Sequence, residues 1–428
     1  MKDIDVTQKG PVLYRAPYVV PVTGPLIEDG GVLVNAGRIV AVDRFQRLRH
    51  DAWQLVTLDQ RIITPALINC HAHLELSHLA DFGREVVIAA GDITAWIRAL
   101  LAKRSEVVPI EAIILAGRQA LARLYLRGVA LVCDIGNEAA SLAISDGSAA
   151  ECLFFRELLG VTEQAAAQAI LVASEQSQGA ALATGAGWTA HAPYSCHPSL
   201  LKALKGQARQ SGRLFPIHVA ESADEIEFLQ KASGPFRQFL AERLRLAGAL
   251  SEGQELQELV TIPGCGAVKY LHELNLLDSR TICVHTVHIS ASEADLLAKT
   301  KAKVCLCPGS NRRLGVGKAP VSMLSQRRIL PGLGTDSLAS NLGLDLWTEM
   351  QVLQEDHPAL SPELIFSMAT QGGAKTLGVS QRLGGLAPGL EAKLLAIDFR
   401  GSVSDIYPFL VNTGKAITLD WLEAGNVS

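Results

Sequence analysis

His71-Ala72-His73 closes an apolar run, and two histidines at i and i+2 on a strand point to one face. Both imidazoles can then reach a single ion, and imidazole suits zinc, iron or nickel. Candidate partners recur at the ends of later apolar runs. Pro216-Ile217-His218 is followed by a carboxylate at Glu221, Thr281-Ile282-Cys283-Val284 runs into His285, and Gly332-Leu333-Gly334-Thr335 runs into Asp336. Polar chemistry at strand exits is the arrangement of a (β/α)8 barrel, which builds its active site at the carboxyl ends of its strands.

The elements that must position these residues follow the same pattern. Strand-like runs alternate with helical ones, which implies parallel βα units. Eight strand candidates cover residues 62–70, 128–135, 150–158, 186–192, 213–220, 280–286, 303–308 and 329–335, the number a closed barrel needs. A helical segment over 109–126 has Pro109 near its start and Gly128 just past its end, as helix ends prefer. Before the barrel, residues 11–64 read as short strands punctuated by Gly and Asp, and residues 384–398 return to that style. The expected fold is therefore a (β/α)8 TIM barrel over 65–379, with a small β-sandwich domain built from both chain ends, 1–64 plus 380–428. Two long connections, 78–127 and 222–279, are expected to shape or cover the pocket and to set substrate choice.

Composition bounds the function. With 428 residues, 48% hydrophobic and 19% charged, the chain can build a large core and is neither disordered nor filamentous. A net charge of -4 offers no electrostatic footprint for nucleic acid or a membrane surface. No apolar stretch is long enough to span a bilayer, and the N-terminal Met1–Val6 lacks the apolar core of a signal peptide. Eight scattered cysteines read as reduced thiols, so a cytoplasmic protein is expected. Cys305 and Cys307 have ligand-like spacing but no second pair, and read as buried thiols.

Six ordered motifs carry a resemblance: His71-Ala-His73, His191-Ala-Pro-Tyr-Ser195, His218-Val-Ala-Glu221, Val284-His-Thr-Val-His288, Cys307-Pro-Gly-Ser-Asn311 and Gly334-Thr-Asp-Ser337. From about residue 20 to 398 the chain resembles the amidohydrolase superfamily, in the branch of chlorohydrolases and aminoheterocycle deaminases. Two departures, Ala66 for the usual glycine after Pro65 and Lys393 for an aspartate, lie outside the six motifs.

The resemblance implies one divalent metal, zinc with iron as the alternative, held by His71, His73, His218 and Asp336. Residues 184–193 contain no lysine where binuclear relatives carry a carboxylated one, which favours a mononuclear site. Glu221 would move a proton onto the substrate ring, while His285 and Asp336 orient the attacking water, accept its proton and help ammonia leave. His191 would face the substrate. Glu75, Ser77 and Ser337 are further candidate substrate contacts, as is either Arg156 or Glu157, since strand alternation lets only one face the pocket. Arg312, Arg313 and Lys318 could meet a substrate carboxylate or be solvated.

Within the branch, His71–Ser77, Ile93–Ile97 and Gly334–Asn341 look most like aminodeoxyfutalosine deaminases of menaquinone biosynthesis. That likeness implies hydrolytic deamination of the adenine of 6-amino-6-deoxyfutalosine or a related adenosine derivative. The alternatives are a deaminase or chlorohydrolase of guanine, cytosine, S-adenosylhomocysteine or triazines, and a non-catalytic barrel that serves as a binding module. The expected partner is a small heterocycle, with a homodimer as the family's common assembly.

Overall fold

The computed structural model describes residues 10–87, 89–137, 140–179 and 187–422. Eight parallel strands form a nearly closed barrel: Leu67–Ala72, Val129–Gly136, Glu151–Leu158, Gly187–Ala190, Phe215–Val219, Thr281–His285, Lys303–Leu306 and Gly332–Leu333. They are numbered one to eight below. The sheet runs from strand five through eight to one and on to four, and its two ends meet where the His218 N–H donates to the His191 carbonyl at 3.0 Å. Every residue of strands one, two, four, five and six is buried, as expected of a parallel sheet covered on both faces.

Two strand candidates differ from the sequence expectation. The run 62–70 is two strands: Arg61–Pro65 pairs antiparallel with Leu394–Asp398, and the barrel strand starts only at Leu67. Unbroken hydrophobicity hid the change of sheet, because both pieces are buried. The eighth strand is shorter than 329–335, because the Thr335 and Asp336 N–H groups both turn to the His71 carbonyl, at 2.9 and 3.0 Å. Ala186, the first residue of the 186–192 candidate, lies outside the described residues.

A separate mixed sheet of seven strands joins the two ends of the chain. Val12–Val19 pairs antiparallel with Ile27–Asn35 and parallel with both Gln54–Thr57 and Arg61–Pro65, while Leu394–Asp398 lies between Arg61–Pro65 and Leu419–Trp421. Its core includes Val12, Tyr14, Val32, Ile39, Ile63 and Leu394. The chain divides into two compact units, one with the residues up to Asn69, Arg123–Leu131 and those from Asp345 onward, the other with Cys70–Ala122 and Val132–Leu344.

Three helices matter for the site. Ile93–Arg104 lies in the first long connection, while Ala223–Lys231 and Gly234–Leu246 lie in the second. Asp92 caps the first by accepting from the Ala95 N–H, and Ser222 caps the second by accepting from Glu225. Gly234 starts the third with φ at 80°, where a side chain would strain the turn. No described helix is long and apolar enough to cross a membrane.

Candidate active site

Four donor atoms converge at the carboxyl end of the barrel. His218 Nε2 lies 3.3 Å from His71 Nε2 and 3.3 Å from His73 Nε2, and Asp336 Oδ1 lies 3.5 and 3.6 Å from the same two nitrogens. His218 Nδ1 sits 2.9 Å from the His191 carbonyl, which can only accept, so the proton is on Nδ1 and Nε2 keeps its lone pair. Burial, followed by the neighbouring His71, pushes His73 down to about 3 and holds His218 well below its usual value. Burial alone would raise Asp336, but its hydrogen bond to His71 and its electrostatic interaction with the surrounding imidazoles, His71 foremost, outweigh that and keep it well below the carboxylate range. Three imidazole nitrogens and a carboxylate oxygen converging in a buried site are a donor set that fits one divalent metal.

Around this set lie three groups that can move protons. Glu221 Oε1 is 3.7 Å from His285 Nε2. Burial, then the charge of Asp336, pushes Glu221 up to about 8, so its carboxyl is largely protonated near neutral pH. Burial lowers His285, leaving a neutral ring whose Nδ1 is committed to Asn311 Oδ1 at 3.0 Å and whose Nε2 can accept. Asp336 Oδ2 is held by the Ser310 and Ser340 hydroxyls at 2.6 and 2.8 Å, which fixes Oδ1 toward the histidines.

Strand alternation alone does not aim these groups. His218 is inward-facing, so Glu221, three residues on, would point away; Asp336 pairs with Ala72, the residue between the two inward histidines; His285 pairs with Val219. In each case left-handed backbone turns the side chain back: φ is 55° at Ala220, 70° at His285 and 57° at Asp336. Such conformations cost on the order of 1–3 kcal/mol each and persist only where surrounding bonds hold them. At Ala220 the hold is visible, because Glu225 reaches back from the following helix and accepts from the Ala220 and Glu221 N–H groups at 2.9 and 2.8 Å.

The donor set opens into a cavity of about 680 Å³, whose lining includes His73, His191, His218, Glu221, His285 and Asp336. Burial lowers His191 to about 4, and its Nδ1 lies 2.7 Å from Ser195 Oγ. Ser337 also lines the cavity, and its hydroxyl meets Ser340 at 2.9 Å. Glu157, not Arg156, faces inward; the Arg156 guanidinium sits over the Trp188 ring, 5.4 Å from its centroid, on the opposite side of the strand. Burial pushes Glu157 up to about 7, and Asn137 Nδ2 bonds its Oε2 at 3.2 Å.

Glu75 and Ser77 are buried but do not line the cavity. Glu75 Oε1 accepts from the Asn137 N–H at 3.1 Å, behind the wall. Arg313 donates to the carbonyls of Gly83, Arg84 and Val86, and neither it nor Arg312 or Lys318 borders the cavity. Cys307 is fully buried, with its Sγ within 4.8 Å of ligand atoms of His71 and His285. Both long connections do reach the cavity, through Trp96 and Leu100 in one and Phe239 and Leu240 in the other. Sequence reasoning assigned no role to Asn137, Glu225, Ser310, Asn311 or Ser340. The quoted Cys307–Asn311 motif contained two of them.

Fold and donor set together are those of a parallel barrel with a potential metal site, and comparison with known proteins gives its family. The model of the amidohydrolase family matches residues 62–423, and the chain belongs to that family. It is a hydrolase acting on carbon–nitrogen bonds. A 5-methylthioadenosine/S-adenosylhomocysteine deaminase of Desulfitobacterium hafniense is 26% identical over 405 residues, covering 91% of this chain and 85% of that one. Among solved structures, the Helicobacter pylori aminofutalosine deaminase in complex with methylthio-coformycin superposes with a TM-score of 0.79 at 22% identity, covering 93% of this chain and 96% of that one. A Xanthomonas campestris adenosine deaminase with bound zinc gives 0.73 at 22% identity, covering 94% and 88%.

Proposed function

We propose that the protein is a metal-dependent hydrolytic deaminase of the adenine ring in a 5′-substituted adenosine, with 6-amino-6-deoxyfutalosine as the substrate. The observation that carries the reading is Glu221 and His285 facing a buried donor set of His71, His73, His218 and Asp336. In this reading those four residues hold one divalent ion, and zinc is the candidate we favour. When bound, the ion supplies the Lewis acidity that makes a water nucleophilic near neutral pH.

The chain's own groups account for the rest. Water adds across C6 and N1 of the purine: its oxygen bonds C6, and N1 gains a proton from the Glu221 carboxyl. His285 Nε2 and Asp336 take the proton the water loses, leaving a tetrahedral C6. That proton passes to the amino nitrogen, the C6–N bond breaks and ammonia leaves, while the C6 hydroxyl returns its proton to the Glu221 carboxylate and the 6-oxopurine remains. His191 and Ser337, on the cavity wall, orient the ring. Residues 65–379 are the proposed catalytic domain, and 1–64 with 380–428 the β domain.

The D. hafniense relative favours a second reading, in which the 5′ substituent is a thioether as in methylthioadenosine or S-adenosylhomocysteine. Ammonia release across 6-amino-6-deoxyfutalosine, the two thioethers, adenosine, guanine, cytosine and an aminotriazine separates the two. We expect the highest kcat/KM on 6-amino-6-deoxyfutalosine. A thioether winning moves the substrate within the adenosine class, and turnover confined to guanine, cytosine or triazine overturns that class.

A further inference from the structure

Strand two, Val129–Gly136, supplies none of the four converging donors, yet three consecutive residues just past strand one lean on it. The His73 ring donates to the Ile135 carbonyl. Because His73 Nε2 faces His218 Nε2 at 3.3 Å, that bond comes from Nδ1 and leaves Nε2 its lone pair. The Leu74 N–H donates to Asp134 Oδ1 at 2.8 Å, and Glu75 Oε1 accepts from the N–H of Asn137, one residue past strand two, at 3.1 Å.

Of these bonds, the one to Asp134 calls for a reason. Leu74 opens a short 3-10 turn, Leu74–Leu79, and the first N–H groups of such a turn find no acceptor inside it. His73 stands where a side chain would ordinarily cap the turn, but it makes no cap bond, because its ring is given to the donor set and to Ile135. Asp134 brings the missing acceptor from the neighbouring strand. It does so at a cost in stability: the residue is fully buried, and its Oδ2 has no hydrogen-bond partner among the described residues. An apolar side chain of similar bulk would avoid that cost but could not hold the Leu74 N–H.

From this we infer that Asp134 is a positioning residue for the donor set: by accepting the Leu74 N–H it fixes the peptide that follows His73, and so sets where His73 Nε2 stands against His71, His218 and Asp336. Strand two thus orients a ligand that strand one delivers. The inference rests on the reading of those four residues as holders of one divalent ion. It extends that reading to a residue that touches neither ion nor substrate, and such outer partners are commonly worth 10- to 100-fold in metal affinity.

The test is zinc affinity of the full chain by competition with a chromophoric chelator, together with the visible bands of the cobalt(II)-loaded protein, which follow ligand geometry. Asp134→Leu, which keeps the bulk and removes the acceptor, should raise the zinc Kd by about 10- to 100-fold and alter the cobalt bands. Asp134→Asn, which keeps Oδ1, should stay within about threefold of the parent and share its bands. Should Asp134→Leu not fold, Asp134→Glu takes its place, since one added methylene displaces the acceptor; its zinc Kd should rise and its bands shift. Lys205→Met is the control for general softening: it breaks the Lys205–Asp278 ion pair, 2.8 Å long, beside Thr281 at the amino end of strand six, and should lower the melt while leaving the zinc Kd unchanged. Parent-like affinity and bands in the variant that removes or displaces the acceptor, an Asn variant as weak as the Leu variant, or an equal loss in Lys205→Met overturns the inference alone. A parent chain that takes up neither zinc nor cobalt overturns the metal reading, and this inference with it.

Discussion

Glu221 and His285 show how two ordinary side chains receive opposite tasks from burial. Desolvation disfavours charge on both, so the carboxyl holds its proton and the imidazole gives its proton up. An acid and a base thus stand 3.7 Å apart at neutral pH. Glu221→Gln keeps the shape and removes the transferable proton, and kcat should fall about 10²- to 10⁴-fold. Bound metal should stay at one equivalent, since Glu221 is outside the four converging donors; loss of metal in this variant would make Glu221 a ligand instead. The base depends on Asn311, whose Oδ1 fixes the tautomer of His285. Asn311→Ala should lower kcat by about 10- to 100-fold while substrate KM and metal content stay near those of the parent.

At the scale of elements, the exits of strands five, six and eight do the aiming, and each uses left-handed backbone. Glu225 is the clamp at strand five, fully buried and accepting two consecutive backbone N–H groups. Glu225→Gln replaces one acceptor by a donor facing an N–H, which should cost about 1–3 kcal/mol in a urea melt. It should also lower kcat, because Glu221 loses its fixed aim; a melt shifted without a change in kcat would refute the positioning role. These exits also mark where sequence reasoning stopped. Apolar runs ending in histidine or aspartate made the strands and the cluster legible, because both follow from period and residue type. The conformation of Ala220 did not, since nothing about an alanine announces a φ of 55°. Glu157 and Arg156 were indistinguishable for a related reason: alternation is visible in a sequence, but its phase depends on where the strand enters the barrel. The split at Ala66 was hidden because both neighbouring strands are equally buried.

Across the barrel, the four converging donors come from strand one and the residue after it, from strand five, and from the exit of strand eight. Strands five and four are the two ends of the sheet, joined by the His218–His191 backbone bond, so a cation on this set would tie one of those ends to strand one across the barrel. Without it, three imidazole nitrogens and a carboxylate are buried together with the Asp336–His71 hydrogen bond to relieve them. Folding and metal binding should therefore be linked: at free metal 1,000 times Kd, one site adds about 4 kcal/mol. Chelation should lower Tm and abolish deamination together, and zinc should restore both. His218→Ala should lose the ion by elemental analysis and become insensitive to chelator, because it removes the donor that lies 3.3 Å from both of the other histidines. If chelator abolishes activity but leaves the melt of the parent unmoved, the ion serves the reaction without bracing the barrel, and the cross-barrel tie is not a source of stability.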